Sequence, residues 1–176
     1  MILFWCQGYF RLLFEGAIFC ILNCMEKLVI RPAVAIREVA AVRSLWREYW
    51  TEFGFTPCFQ GFEEEVESLP GKYRLLLAFW HGEPAGTVAW YPFDEQRAEF
   101  KRLFVRNRFR GKGIAKSLLE EVVGEVRAAG YRSLLCDTIP GSMATALEMY
   151  RALGFEEIPS YLTVETPGAV ALQLNL

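Results

Sequence analysis

Histidine occurs once in this chain, at His81, and the five cysteines, Cys6, Cys20, Cys24, Cys58 and Cys136, are odd in number and never fall into paired C-x-x-C spacing. Protein zinc sites gather several Cys and His ligands, so no metal is expected, and unpaired thiols fit a reducing cytoplasm better than a disulfide framework. His81 stands in a tight turn before Gly82 and is expected to be solvated surface. A dominant charge is lacking too: 19 basic and 21 acidic residues leave a net charge of -2, which gives no overall electrostatic drive toward nucleic acid. Internal repeats, low-complexity tracts and flexible linkers are missing, which leaves one domain as the expectation.

An apolar run long enough to cross a bilayer, about 20 residues, is also lacking. The nearest is MILFWCQGYFRLLFEGAIFCILNC at residues 1–24, where Arg11 and Glu15 split the apolar residues into runs of about ten. Its first residues carry no basic charge and no small-residue cleavage site follows, unlike a signal peptide. Residues 1–24 are expected to be an apolar extension that reflects an upstream start assignment, with the functional domain at 25–176. A membrane-associating helix and a segment packed on the domain are the alternatives; a role at a membrane is not expected. What the chain has in abundance is core material. Hydrophobic residues make up 53% and aromatics 15% of 176 residues, which excludes disorder and suffices for one compact domain.

The most informative stretch is AEFKRLFVRNRFRGKGIAKSLLEEV, from Ala98 to Val122. A strand-like run, a basic Gly-rich turn and an amphipathic helix follow without a break. Ile114, Ala115, Leu118, Leu119, Val122, Val123 and Val126 recur at helical spacing, and Gly130 stands where a left-handed cap would end the helix. Small residues at Gly111, Gly113 and Ala115 let the backbone approach an anion, and the helix that follows offers unpaired N–H groups at its start. Arg110, Lys112 and Lys116 add positive charge around the same point. A phosphate-bearing ligand is the chemistry this pattern serves.

Spacing separates three phosphate loops. A Walker A loop requires Gly where Arg110 and Ala115 stand, and a dinucleotide fingerprint starting at Gly111 fails at Lys116. Arg110-x-x-Gly113-x-Ala115 fits the third, for it resembles the [QR]-x-x-G-x-[GA] motif of the GNAT N-acetyltransferases. The segment Met143 to Phe155, MATALEMYRALGF, is similar to the family's N-x-x-A-x-x-[LM]-Y-x-x-x-G-F signature, with Met143 replacing the usual Asn. The resemblance runs from about residue 28 to 176 and implies an α/β fold: a mixed, twisted sheet of about seven strands with helices on both faces.

The resemblance also implies a chemistry. Acetyl-CoA would be the acyl donor, its pyrophosphate on the loop formed by Arg110, Gly111, Lys112, Gly113, Ile114, Ala115 and Lys116. Its pantetheine arm would pair with the backbone of Leu103, Phe104 and Val105, and Met143 would adjoin the arm. Two parallel strands, one ending at Val105 and the other at Asp137, would splay to admit it. A primary amine is almost wholly protonated at neutral pH, its pKa lying near ~10, so transfer needs a base. Glu99, four residues before the tripeptide, is the candidate, with Asp137 across the splay as the alternative. Tyr150 would protonate the departing thiolate.

Substrate choice is expected to lie with the aromatic, acidic segment from Trp46 to Glu67, whose carboxylates would either attract an ammonium or form a solvated helix face. The acceptor expected is the amine of a small molecule or amino-acid-like compound. Two alternatives stay open: a protein Lys or N-terminus as acceptor, and an acyl-CoA-binding module without turnover. A homodimer is left open.

Overall fold

A computed structural model describes residues 27–54, 61–161 and 167–176. Residues 1–24 and the thiols Cys6, Cys20, Cys24 and Cys58 lie outside them. Seven strands, β1 (Leu28–Pro32), β2 (Arg74–Trp80), β3 (Glu83–Pro92), β4 (Arg97–Val105), β5 (Ser133–Thr138), β6 (Glu156–Ile158) and β7 (Val170–Asn175), form one sheet in the order β1-β2-β3-β4-β5-β7-β6. Among the described residues there are four α-helices: α1 (Ile36–Phe53), α2 (Phe62–Glu67), α3 (Ile114–Ala128) and α4 (Pro140–Ala152). Every neighbouring pair of strands is antiparallel except β4 and β5. No helix among the described residues is long and apolar enough to cross a membrane.

The sheet is covered on both faces, which explains why its central strands are apolar without alternation. Leu76 and Ala78 face one core with Trp90, Phe100, Leu118, Leu119, Val122 and Tyr150, under α3 and α4. Leu75 and Leu77 face the other with Val42, Leu45, Trp46, Val66 and Phe104, under α1 and α2. Cys136 is a free, buried thiol in the first of these cores.

Local chemistry sets the element ends. Helix α1 begins three residues earlier than its apolar stripe suggests, because the Glu38 carboxylate accepts from the Ala35 N–H at 3.0 Å and the Val34 N–H at 3.2 Å. That reach-back satisfies N–H groups the helix cannot, so a first turn with Ile36 at 92% exposure still forms. Strands β2 and β3 join through His81 and Gly82, both left-handed at φ 48° and 82°, the geometry of a two-residue hairpin turn. His81 is exposed there, as expected. Helix α3 ends into Gly130 at φ 87°, with the Gly130 and Tyr131 N–H groups closing on Arg127 and Val126 carbonyls.

One irregularity was hidden from periodicity. Ala89 pairs with Lys101 and Thr87 with Phe104, so Val88 faces two residues, and Arg102 sits at φ 57°. This β-bulge turns Lys101 and Arg102 toward the same face, the α1 side, where strict alternation would send them apart. Gly86 permits it, since a Cβ there would lie 2.6 Å from the Phe104 carbonyl oxygen.

Candidate active site

Strands β4 and β5 pair in parallel only from Arg97 with Ser133 to Glu99 with Leu135. Beyond that point β5 stays bonded to β7 as far as Thr138, and β4 to β3 as far as Val105. The two strands therefore part, and their facing edges carry backbone N–H and C=O groups that no strand satisfies. A cavity of about 630 Å³ opens between them, walled by β4 from Phe100 to Val105, the start of α3, the end of β5, α4, and Tyr49, Trp50 and Phe53 of α1.

At one end of the cavity the chain turns through Gly111 and Gly113, at φ 72° and 80°. A Cβ at either glycine would meet nothing within 4 Å, so the space before the loop is open to a ligand. Gly113 caps α3, and the Ser117 N–H bonds its carbonyl at 3.0 Å, which leaves the N–H groups of Ile114, Ala115 and Lys116 ahead of the helix's own ladder. Arg110 donates to the Val105 carbonyl at 2.9 Å and pairs with Glu52 of α1 at 2.6 Å. Its guanidinium thus links the loop to β4 and α1.

Every residue expected to hold the cofactor lines this cavity except Lys112. The Lys112 ammonium lies instead over the Trp80 ring, 5.5 Å from its centroid. Met143 does line it, and its φ of -130° and ψ of 36° break α4 after the first turn. The Thr138 hydroxyl donates to its sulfur at 3.6 Å.

Among the candidate catalytic groups, Asp137 and Tyr150 share the cavity wall. Tyr150 is 6% exposed and packs edge-on against Phe100. Burial pushes its phenol well above the ordinary value, with Cys136, Tyr49 and Asp137 reinforcing the shift. Glu99 is 1% exposed and is not part of the wall. It accepts from the Tyr91 hydroxyl, from the Tyr161 hydroxyl at 3.1 Å, and pairs with the Lys101 ammonium at 3.2 Å. Lys101, its ion-pair partner, does belong to the wall. Both phenols are raised, chiefly by burial and then by the Glu99 carboxylate.

Residues 39–155 match the model of the Acetyltransferase (GNAT) family. The chain belongs to that family. A Schizosaccharomyces pombe protein described as an uncharacterized N-acetyltransferase is 30% identical over 141 residues, which span 76% of this chain and 86% of its own length. Two solved structures share the fold. The PaiA N-acetyltransferase of Thermoplasma acidophilum, in complex with coenzyme A, superposes with a TM-score of 0.70 at 16% identity, covering 86% of this chain and 100% of that one. A GNAT acetyltransferase of Elizabethkingia anophelis with acetyl-CoA bound gives 0.61 at 20% identity over 86% and 99%. As a GNAT member this protein is an acyltransferase.

The GNAT acyltransferase has further site residues that its sequence conceals. Arg102 lines the cavity and lies 5.5 to 5.9 Å from the rings of Trp46, Tyr49, Trp50 and Phe62, with Glu65 at 2.8 Å from its Nη2. Tyr73 also donates to Glu65. No motif marks these contacts; only the bulge creates them. The acidic stretch, in turn, is largely neutralised within the fold. Glu48 pairs with Arg106, Glu52 with Arg110, Glu65 with Arg102, and Glu63 and Glu67 with Arg47, while Glu64 is exposed. Those carboxylates have cationic partners within the fold.

Proposed function

We propose that this enzyme moves the acetyl group of acetyl-CoA directly to the primary amine of a small-molecule or amino-acid-like acceptor. The observation that carries the reading is the opening between β4 and β5 with the left-handed glycine loop at its end. An acyl-pantetheine arm is a chain of amides, and the free edge of Leu103–Val105 offers complementary groups at strand spacing. A pyrophosphate would meet the N–H groups at the start of α3, where the helix dipole favours negative charge. Arg110 and Lys116 would stand beside it. Fold relatives that hold coenzyme A and acetyl-CoA support the same donor.

In direct transfer the amine nitrogen attacks the thioester carbonyl, the C–S bond breaks, sulfur leaves as the thiolate, and the nitrogen gives up a proton. Backbone N–H groups at the splay would polarise the carbonyl. Tyr150, protonated at any working pH because its pKa is raised, would donate a hydrogen bond to the departing sulfur. Of the two carboxylates, Asp137 shares the wall with Tyr150 and could take the amine proton without an intermediary, whereas Glu99 is buried outside the wall, paired with Lys101, and would need a water to act as base. We therefore assign the base to Asp137 and keep Glu99 as the charge that fixes Lys101, Tyr91 and Tyr161.

Release of free thiol from acetyl-CoA, followed over a panel of amines, tests the reaction. The expected result is amine-dependent release that falls about 10²-fold in Asp137→Asn at neutral pH and partly recovers at alkaline pH, as the free amine supplies itself. Glu99→Gln should lose less. The opposite ranking, with alkaline recovery in Glu99→Gln alone, would return the base to Glu99, and acetyl-CoA binding without release to any amine would mark a binding module.

A further inference from the structure

The mouth of the splay is polarised. On its β4 side the bulge sets two cations in the wall, Lys101 and Arg102, on consecutive residues; on its β5 side stands Asp137. Arg102 adopts a left-handed backbone, φ 57°, that a non-glycine residue in a strand rarely takes, and such strain persists only where the surroundings impose it. Its head is held rather than swinging: Glu65 binds one nitrogen, four aromatic rings surround it, and its Nε is buried without a hydrogen-bond partner among the described residues. Lys101 is likewise fixed by Glu99, which Tyr91 and Tyr161 hold in turn. The remaining wall near α1 is aromatic, Tyr49, Trp50 and Phe53.

A ligand complementary to this mouth carries opposite charges a few bonds apart. From the wall's charge pattern we propose that the acceptor is a free α-amino acid, its carboxylate received by Arg102 and Lys101 and its amino group directed to Asp137. This rests on the amine-acetylation reading above and narrows it to one substrate class. A planar guanidinium suits a carboxylate better than an ammonium does, because its donors lie in one plane with the two oxygens. A plain amine would leave the two cations without a partner on the ligand, and an amino-acid amide would place a neutral group against them. The aromatic α1 wall favours a large apolar or aromatic side chain.

Matched acceptors separate these cases. Leucine, phenylalanine and tryptophan are each compared with their amides and with the corresponding decarboxylated amines, using thiol release from acetyl-CoA. The expected result is a kcat/KM at least tenfold higher for the free acid in at least one of the three sets. In the double variant Arg102→Gln/Glu65→Gln, which removes both members of the pair and leaves no uncompensated buried charge, the acid's KM should rise at least tenfold, the preference should fall to within twofold, and the KM for acetyl-CoA should stay unchanged. A merely structural role would lower all three acceptors together and leave their ratio intact. If the double variant lacks a cooperative melt, Lys101→Gln is read by the same ratio. Amides or amines used as well as the acids by the native enzyme, or a preference that survives the substitutions, would overturn the proposal. Calorimetric titration of the amino acids into the coenzyme A-saturated protein keeps the two readings apart: acid-selective binding without turnover would uphold the carboxylate site and sink the transfer reaction, whereas turnover of amines without acid selectivity would do the reverse.

Discussion

Burial shapes the role proposed for Tyr150. Its phenol lies in the core and in the cavity wall at once, and desolvation holds its pKa far above the ordinary value near ~10. A thiol of ordinary pKa, near ~8.5, is the stronger acid, so full proton transfer from Tyr150 to the thiolate is uphill, and in the proposed reaction the tyrosine would serve as a hydrogen-bond donor. Tyr150→Phe should therefore lower kcat by about 10- to 10²-fold with acetyl-CoA affinity unchanged. The raised pKa also fixes the pH dependence: the donor stays protonated, so the ratio of native to variant kcat should be constant from pH 7 to pH 9. A ratio that collapses across that interval would mean the phenol titrates there and is not buried as described. Arg110, Gly113 and Tyr150 stood out in the sequence because they match short motifs of the family it resembles, and all three line the cavity. Lys101 and Arg102 did not stand out, since their common face depends on a one-residue bulge that leaves no mark in composition or period.

At the level of elements, the loop and the start of α3 act as one unit. Gly113 combines a left-handed φ with open space in front of its backbone, two properties that only glycine supplies together. Gly113→Val should raise the acetyl-CoA dissociation constant at least tenfold, about 1.4 kcal/mol, in a protein that still melts cooperatively. Calorimetry giving native affinity would remove the loop from the site. A second unit is the seam of ion pairs between α1, α2 and β4. Arg106 hydrogen-bonds Glu48 and holds its carboxyl below the usual range. Burial pushes Glu65 upward, but Arg102 and Tyr73 outweigh it and leave its carboxyl lowered too. A carboxyl depressed in the folded state adds stability above its unfolded pKa, near ~4.3, and loses it as pH falls through the folded value. Urea midpoints should thus change little through this seam between pH 8 and pH 5, then drop below about pH 4, with a shallower drop in Glu48→Gln. A Glu48→Gln protein that follows the native acid profile would show the seam contributes nothing. The sequence marked α3 by its apolar stripe and Gly130, and the β2–β3 turn by His81 and Gly82. The start of α1 at Ile36 has no such mark, as a reach-back by Glu38 is a capping effect with no apolar signature.

For the molecule as a whole, the parting of β4 from β5 is the feature on which the proposed binding and chemistry both depend. Two cores lie on opposite faces of the sheet: α3 and α4 pack on one side, α1 and α2 on the other. The α/β class and about seven strands were implied by the family resemblance that the motifs carry, and the sheet has seven. The strand order could not be read from the sequence, because β7 enters between β5 and β6 through long-range pairing that local pattern does not encode. Hydrogen–deuterium exchange with and without acetyl-CoA tests this arrangement most directly. Saturating acetyl-CoA should slow exchange at the amides of Leu103 to Val105 and of Gly113 to Lys116, where the arm and the pyrophosphate would bond, and leave β1 and β2 unchanged. Binding that protects neither segment, or no binding at all, would contradict the account.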